Sequence, residues 1–143
     1  MNTVEKILKR RGAFVWSIKP TDSVMVALRM MIEKDIGAVL VMEDDNICGI
    51  ISERDIARKI TYLNLAAEKI PVKEIMTATV YTIDEDQTIE TARALMTAHR
   101  VRHLPVMRDG KVIAVLSTRD VVSEIIVIQR QTIDFYKDIA LDE

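Results

Sequence analysis

Residues 14–18 read Phe-Val-Trp-Ser-Ile, an aromatic and β-branched stretch that predicts a short strand. After Pro20 the period changes. Val24, Ala27, Leu28 and Met31 fall at i, i+3, i+4 and i+7, one face of a helix, with Thr21, Asp22 or Ser23 placed to cap it. Apolar runs return at residues 38–42 and 47–51, and Glu43-Asp44-Asp45-Asn46 between them predicts a hairpin. A second helix is expected from Ser52 to about Tyr62. The unit therefore reads strand, helix, strand, strand, helix.

The same pattern is written again 65 residues later, without a gap, when Ile18 is laid on Ile83. Ala27 then meets Ala92, Met31 meets Met96, and Val41-Met42 meets Val106-Met107. Asp44 meets Asp109, and Ser52, Arg54 and Asp55 meet Ser117, Arg119 and Asp120. The second copy predicts a strand at 79–83, a helix at 88–100, strands at 103–107 and 111–116 around Arg108-Asp109-Gly110, and a helix from Ser117 onward. A short lead-in also repeats, Val4-x-x-Ile7-Leu8 against Val72-x-x-Ile75-Met76. These signals divide the chain into a lead-in helix (1–12), a first motif (13–62), a linker with the second lead-in (63–78), a second motif (79–128) and a C-terminal helical extension (129–143). Each motif alone is marginal in size, so an α/β fold is expected in which two β-α-β-β-α motifs pack with pseudo-two-fold symmetry and form two related clefts.

Composition narrows the chemistry. With 49% hydrophobic and 29% charged residues the chain should fold rather than stay disordered. Twenty basic against 22 acidic residues give a net charge of −2, no overall field to hold a polyanion, so no nucleic-acid partner is expected. No apolar run approaches the roughly 20 residues of a membrane span. The lone Cys48, in an apolar run, predicts a small core residue in a reducing, cytoplasmic setting, and with two histidines it is too little for a zinc site. Ser17, Ser52, Ser117 and Ser123 carry no nucleophile-elbow signature, so the sequence predicts no enzyme.

The candidate chemistry lies where a strand runs straight into a helix, at Gly49-Ile50-Ile51-Ser52-Glu53-Arg54-Asp55 and Ala114-Val115-Leu116-Ser117-Thr118-Arg119-Asp120. Ser-x-x-Asp approximates a capping box, which alone accounts for the serine and the aspartate but not for Arg54 and Arg119. The same geometry presents backbone amides and a positive dipole suited to phosphate, while an aspartate can accept both hydroxyls of a ribose. Arg102 and His103 add cations at a strand entrance where the first copy has Gly37 and Ala38, so the two clefts should differ. An unperturbed His103 would titrate near neutrality and phosphate affinity would weaken in alkali.

In order and duplication these marks resemble the CBS motif, and the two copies resemble a tandem CBS pair, or Bateman module, from the Val4 lead-in to about Val122. The marks are the glycine-aliphatic-aliphatic-Ser-x-x-Asp ending at Asp55, the Val72-x-x-Ile75-Met76-Thr77 segment, and Arg102-His103-Leu104-Pro105-Val106. The second copy has Ala114 in place of the family glycine. In one nucleotide-sensing member a basic pair before Leu-Pro-Val contacts phosphate with the histidine first; here the order is reversed. The resemblance implies a reversible adenosine ligand (AMP, ADP, ATP, NADH or S-adenosylmethionine) and no obligatory cofactor, with the terminal aspartates, Asp55 and Asp120, on ribose. It places ligand binding at Ser17, Ser52, Arg54, Asp55, Thr82, Arg102, His103, Pro105, Ser117, Thr118, Arg119 and Asp120. It also implies a homodimer that senses nucleotide or redox state and signals to a downstream protein. The alternative is a structural interaction module whose Ser-x-x-Asp motifs are only caps. From Val121 a stripe of Val121, Ile125, Ile128, Thr132, Phe135 and Ile139 is expected to pack partly on the lead-in helix and partly against a second copy.

Overall fold

A computed structural model describes residues 2–141. Met1, Asp142 and Glu143, at the ends of the first and last predicted segments, lie outside the described residues. The chain divides into two compact units. One joins the chain up to Ala13 with everything from Thr82 on; the other is Phe14–Tyr81. Each carries the predicted mixed α/β motif.

In the second unit, β1 (Ser17–Ile18) pairs in parallel with β2 (Ala38–Glu43), which pairs antiparallel with β3 (Asn46–Ser52), and α2 (Val24–Lys34) crosses between β1 and β2. In the first unit, β4 (Ile83–Asp84), α4 (Ile89–His99), β5 (His103–Arg108) and β6 (Lys111–Ser117) repeat that order and pairing. Even the irregularities repeat, with the register shift falling after Val41 in one sheet and after Val106 in the other. Both hairpins turn through two residues of positive φ, Asp44-Asp45 and Asp109-Gly110, the backbone that matches the twist of the strands on either side.

The caps are local. Ser23 is the one of three candidates that caps α2, its hydroxyl accepting from Val26 N at 3.3 Å. Thr88 does the same for α4 through Thr91 N at 3.0 Å. The strand predicted at 14–18 is reduced to Ser17–Ile18, and that predicted at 79–83 keeps only Ile83 and runs on to Asp84, two paired residues in each case. The helix expected from Ser52 to Tyr62 is α3 (Glu53–Ile56) followed by a π-helical stretch, Ala57–Thr61, that keeps Ile56 and Ile60 both buried. Cys48 is partly buried at the edge of that core rather than inside it.

The two lead-ins change places. The first, α1 (Val4–Arg11), places Val4, Ile7 and Leu8 in the core built by the second motif, with Ile83, Ile89, Ala92, Leu104, Val106, Leu116 and Val121. The second, a single 3₁₀ turn at Val72–Glu74, places Val72 and Ile75 in the core of the first motif. Isolated bridges fix each exchange at a helix cap, Thr3 opposite Thr88 and Pro71 opposite Ser23. The second lead-in passes so close to β3, with Thr77 hydrogen-bonded to Ile50 in both directions, that a side chain at Gly49 would meet Met76 Sδ at 2.6 Å and Thr77 O at 2.9 Å.

The last helix, α5 (Thr118–Leu141), is continuous. Val121 is buried and Ile125 and Ile128 pack on the first unit's core, as the stripe predicts. Past Ile128 the described helix is exposed, with Ile133, Phe135, Tyr136 and Ile139 on its surface.

Candidate ligand-binding site

At the end of β3, Ser52 and Asp55 form a full capping box. Ser52 N and Oγ donate to Asp55 Oδ2 at 3.0 and 3.1 Å, and Asp55 N donates to Ser52 Oγ at 3.2 Å. At the end of β6, Ser117 and Asp120 repeat it at 2.8, 2.9 and 3.2 Å. The cap therefore consumes Oδ2 of each aspartate and leaves Oδ1 for other donors, since a carboxylate has about four acceptor sites. The cap reading of Ser-x-x-Asp therefore holds, and the cap sets the orientation of each acid.

What reaches that oxygen differs. Asp55 Oδ1 accepts from Thr77 Oγ1 at 3.3 Å, with Lys59 Nζ at 3.7 Å. Asp120 Oδ1 is ion-paired with Arg11 Nε at 3.1 Å. Arg11 comes from the last turn of α1 and also donates to Val115 O at 2.6 Å, so it ties the lead-in to the end of β6 and the start of α5. Nothing local marks Arg11 as a site residue. The available signal is its place in the basic run Lys9-Arg10-Arg11 ahead of a glycine.

Arg102 and His103 join Asp120 in the first unit. His103 lies opposite Ser117 in the sheet, and Arg102 O accepts from Thr118 N at 2.9 Å and Thr118 Oγ1 at 3.2 Å. Burial holds the His103 pKa below the ordinary imidazole value; the charge of Asp120 opposes this and that of Arg102 adds to it. The expectation of a histidine titrating near neutrality is thereby corrected. Removing the ring from water penalises the cation, so burial favours the neutral imidazole. In the second unit the matching positions are Gly37, Ala38 and Glu53, where Gly37 O accepts from Glu53 N at 3.0 Å and Ala38 lies opposite Ser52.

The other predicted residues divide by exposure. Ser17 and Thr82 are exposed at or beside the two-residue strands β1 and β4. Arg54 and Arg119 are exposed one residue before each aspartate. Pro105 is a correction: its ring is fully buried opposite Val115, where it packs the sheet instead of facing a ligand.

Sequence reasoning passed over Glu124. It is 3% exposed on the core side of α5, paired through Oε2 with Arg10 NH1 at 3.2 Å, while its Oε1 has no hydrogen-bond partner among the described residues. An acid in phase with Val121 and Ile128, facing a basic lead-in, was the available signal. A pocket of about 300 Å³ between α4 and α5, lined by Met96, Val101, Val121 and Ile125 among others, shares only Thr118 with the cluster around Asp120. Its walls are mainly aliphatic and it presents no carboxylate to a sugar. Among the described residues, no group of His, Cys, Asp and Glu is arranged to hold a metal, and no helix is long and apolar enough to cross a membrane.

The CBS domain family model matches residues 6–62 and again 72–127. The chain belongs to the CBS domain family. The crystal structure of the CBS domain NE2398 is 46% identical, with a TM-score of 0.83 over 87% of this chain and 98% of that one. The CBS-domain containing protein ATU1752 from Agrobacterium tumefaciens is 30% identical, with a TM-score of 0.81 over 86% of this chain and 98% of that one. Among curated proteins, the CBS domain-containing protein CBSX3, mitochondrial, of Arabidopsis thaliana is 31% identical over 134 residues, 87% of this chain. The match covers 65% of that protein, so the chain spans just under two thirds of that curated relative's length.

Proposed function

We infer that this CBS pair is a regulatory module that binds an adenosine ligand reversibly and has no catalytic step. The observation that carries the reading is the repeated strand-to-helix junction, in which a capping box uses one oxygen of Asp55 or Asp120 and leaves the other, beside Thr77 or Arg11, with acceptor capacity for a further donor. A ribose hydroxyl is a matching donor. Serine and threonine hydroxyls, the amides at the start of α5 and Arg102 suit the phosphate of AMP, ADP, ATP or NADH. Two proteins that share the fold support the ligand class. One from Pyrobaculum aerophilum was solved with AMP, and MJ0100 with 5′-methylthioadenosine and S-adenosylmethionine.

A nucleotide of roughly 23 heavy atoms at about 0.3 kcal/mol per atom gains about 7 kcal/mol, a Kd near 10 μM. That range suits sensing in a cytoplasmic pool. The exposed apolar end of α5 is read as a contact with a second copy, so that ligand and dimer contact together set the signal passed to a downstream protein. The ligand shifts that equilibrium only as far as it binds the two states unequally.

Titration calorimetry of the purified protein with AMP, ATP, NADH and S-adenosylmethionine is the test. Heat from at least one, abolished when Asp55 and Asp120 are both changed to Asn, is the expected result. No heat from any of them at about millimolar concentration, well above the Kd expected from atom count, leaves a structural interaction module with the aspartates as caps alone.

A further inference from the structure

We propose that the far end of α5 in one copy of the chain docks on the apolar patch at Tyr62, Leu63 and Leu65 of a second copy, each copy lending its helix to the other. This rests on the reading above that the end of α5 meets a second copy, and it adds which surface receives that end. Both faces are exposed, and they match in apolar character and in charge.

The receiving patch follows the π-helical stretch Ala57–Thr61, a form that recurs at functional sites. That stretch keeps Ile60 buried while Tyr62, Leu63 and Leu65 are 84%, 58% and 44% exposed. The first unit treats the same positions of its repeat differently. Val127 and Ile128 stand there for Tyr62 and Leu63 and are partly buried, Ile128 against the core that α1 helps to build. The second lead-in, a single turn at Val72–Glu74, is shorter than α1, and the patch stays in water.

From Gln129 to Leu141 the helix α5 runs on for about 20 Å past Ile128. A helix of that length is marginal in water unless an apolar face is covered. Ile133, Phe135, Tyr136 and Ile139 are exposed along it, with the rings of Phe135 and Tyr136 edge to face. Residues 129–143 carry Asp134, Asp138, Asp142 and Glu143 against Arg130 and Lys137, whereas residues 57–69 carry Arg58, Lys59 and Lys69 against Glu68. The arm is acidic and the patch basic. Charge therefore favours their meeting over the meeting of two arms, each with an excess of acid. Aromatic and aliphatic side chains on both sides supply the anchors of such a contact, with the charges at its rim.

Sedimentation equilibrium of the full chain over a range of concentrations is the test, with circular dichroism as the check on folding. The wild type is expected to be a dimer. Phe135→Ser with Ile139→Ser, and separately Tyr62→Ser with Leu63→Ser, are each expected to weaken it by about tenfold or more, the loss of buried anchors. Arg58→Glu with Lys69→Glu, and Asp134→Lys with Asp138→Lys, should each weaken it several-fold. The four charge changes together should recover most of that loss, because the signs then match again. Every substituted position is exposed, and the charge set decides the matter if an apolar variant unfolds. A dimer weakened by the arm variants but not by the Tyr62 and Leu63 pair, or one that the four charge changes fail to recover, overturns the docking and leaves self-association standing. A monomeric wild type overturns the docking and the second-copy reading together, while calorimetric titration with AMP still reports separately on the adenosine reading.

Discussion

Asp55 and Asp120 stand at the same place in the repeat and meet different company. Each is fixed by its own serine, within three residues, in nearly superimposable hydrogen bonds. Beyond the cap, one faces a threonine of the second lead-in and the other an arginine of α1. The contrast extends one helical turn on. Glu124, buried in the first unit, draws Arg10 from α1, whereas Lys59 at the matching place in the second unit donates to Ile75 O of the other lead-in. The acid and base exchange sides while the junction between lead-in and helix persists. Duplication preserved the frame; the long-range partners diverged.

Substitutions that press on this contrast should differ in effect. The largest difference is expected at the paired positions Gly49 and Ala114. Gly49→Ala forces Met76 and the Thr77 carbonyl to move and should destabilise the second unit by about 2 kcal/mol, as overpacking does. Ala114→Gly in the first unit should cost only about 1 kcal/mol, through backbone entropy and a lost methyl. Urea unfolding of both variants checks it, and equal losses would mean that the close approach at Gly49 is not what distinguishes the sheets.

Next, Arg10→Ala strands the buried Glu124 charge and should lower stability by about 1–2 kcal/mol, below the full value for a broken buried pair because Arg10 is partly in water. Restoration of stability by Glu124→Leu in the Arg10→Ala background identifies the unpaired charge as the cause. Ser52→Ala and Ser117→Ala should each cost about 1 kcal/mol, and by similar amounts, because the caps are equivalent. A several-fold disparity in thermal denaturation contradicts the equivalence.

The smallest effect is a pH slope confined to the first unit. The folded pKa of His103 lies below its unfolded value of about 6.5, so its contribution is fully present above that pH. As pH falls through 6.5 toward the folded value the unfolded chain takes up a proton that the folded one refuses, and stability declines. Unfolding free energies measured from pH 7.5 to 5 should show this decline in the wild type and a shallower one in His103→Gln.

Much of the fold was legible in advance. A cap for α2 among Thr21, Asp22 and Ser23, the hairpins at Asp44-Asp45 and Asp109-Gly110 and the capping boxes are decided by residues two to four apart, where side-chain chemistry and backbone preference act directly; the structure chose Ser23 and added Thr88. The core positions followed from the same periodicity, Val24, Ala27 and Met31 in one unit and Ile89, Ala92 and Met96 in the other. Pro105 was misread because its place beside Arg102 and His103 in the line of sequence says nothing about which face of the strand it takes. The sequence supplied only the unperturbed titration of His103; the downward shift depends on how much water the fold removes, which no spacing reports.

By itself, then, the amino-acid order determined that there are two copies of one α/β motif, the order of elements within each, and the capping of each Ser-x-x-Asp junction by its own serine and aspartate. Those features rest on contacts within a turn or a hairpin and are encoded where they act. Packing of the last helix on the first lead-in was expected from its stripe; only the tertiary structure decided the reciprocal exchange of the lead-ins and the pairing of Arg11 with Asp120 and of Arg10 with Glu124 from more than a hundred residues away. The choice depends on which apolar surface each lead-in buries, a competition between whole cores rather than between neighbouring residues.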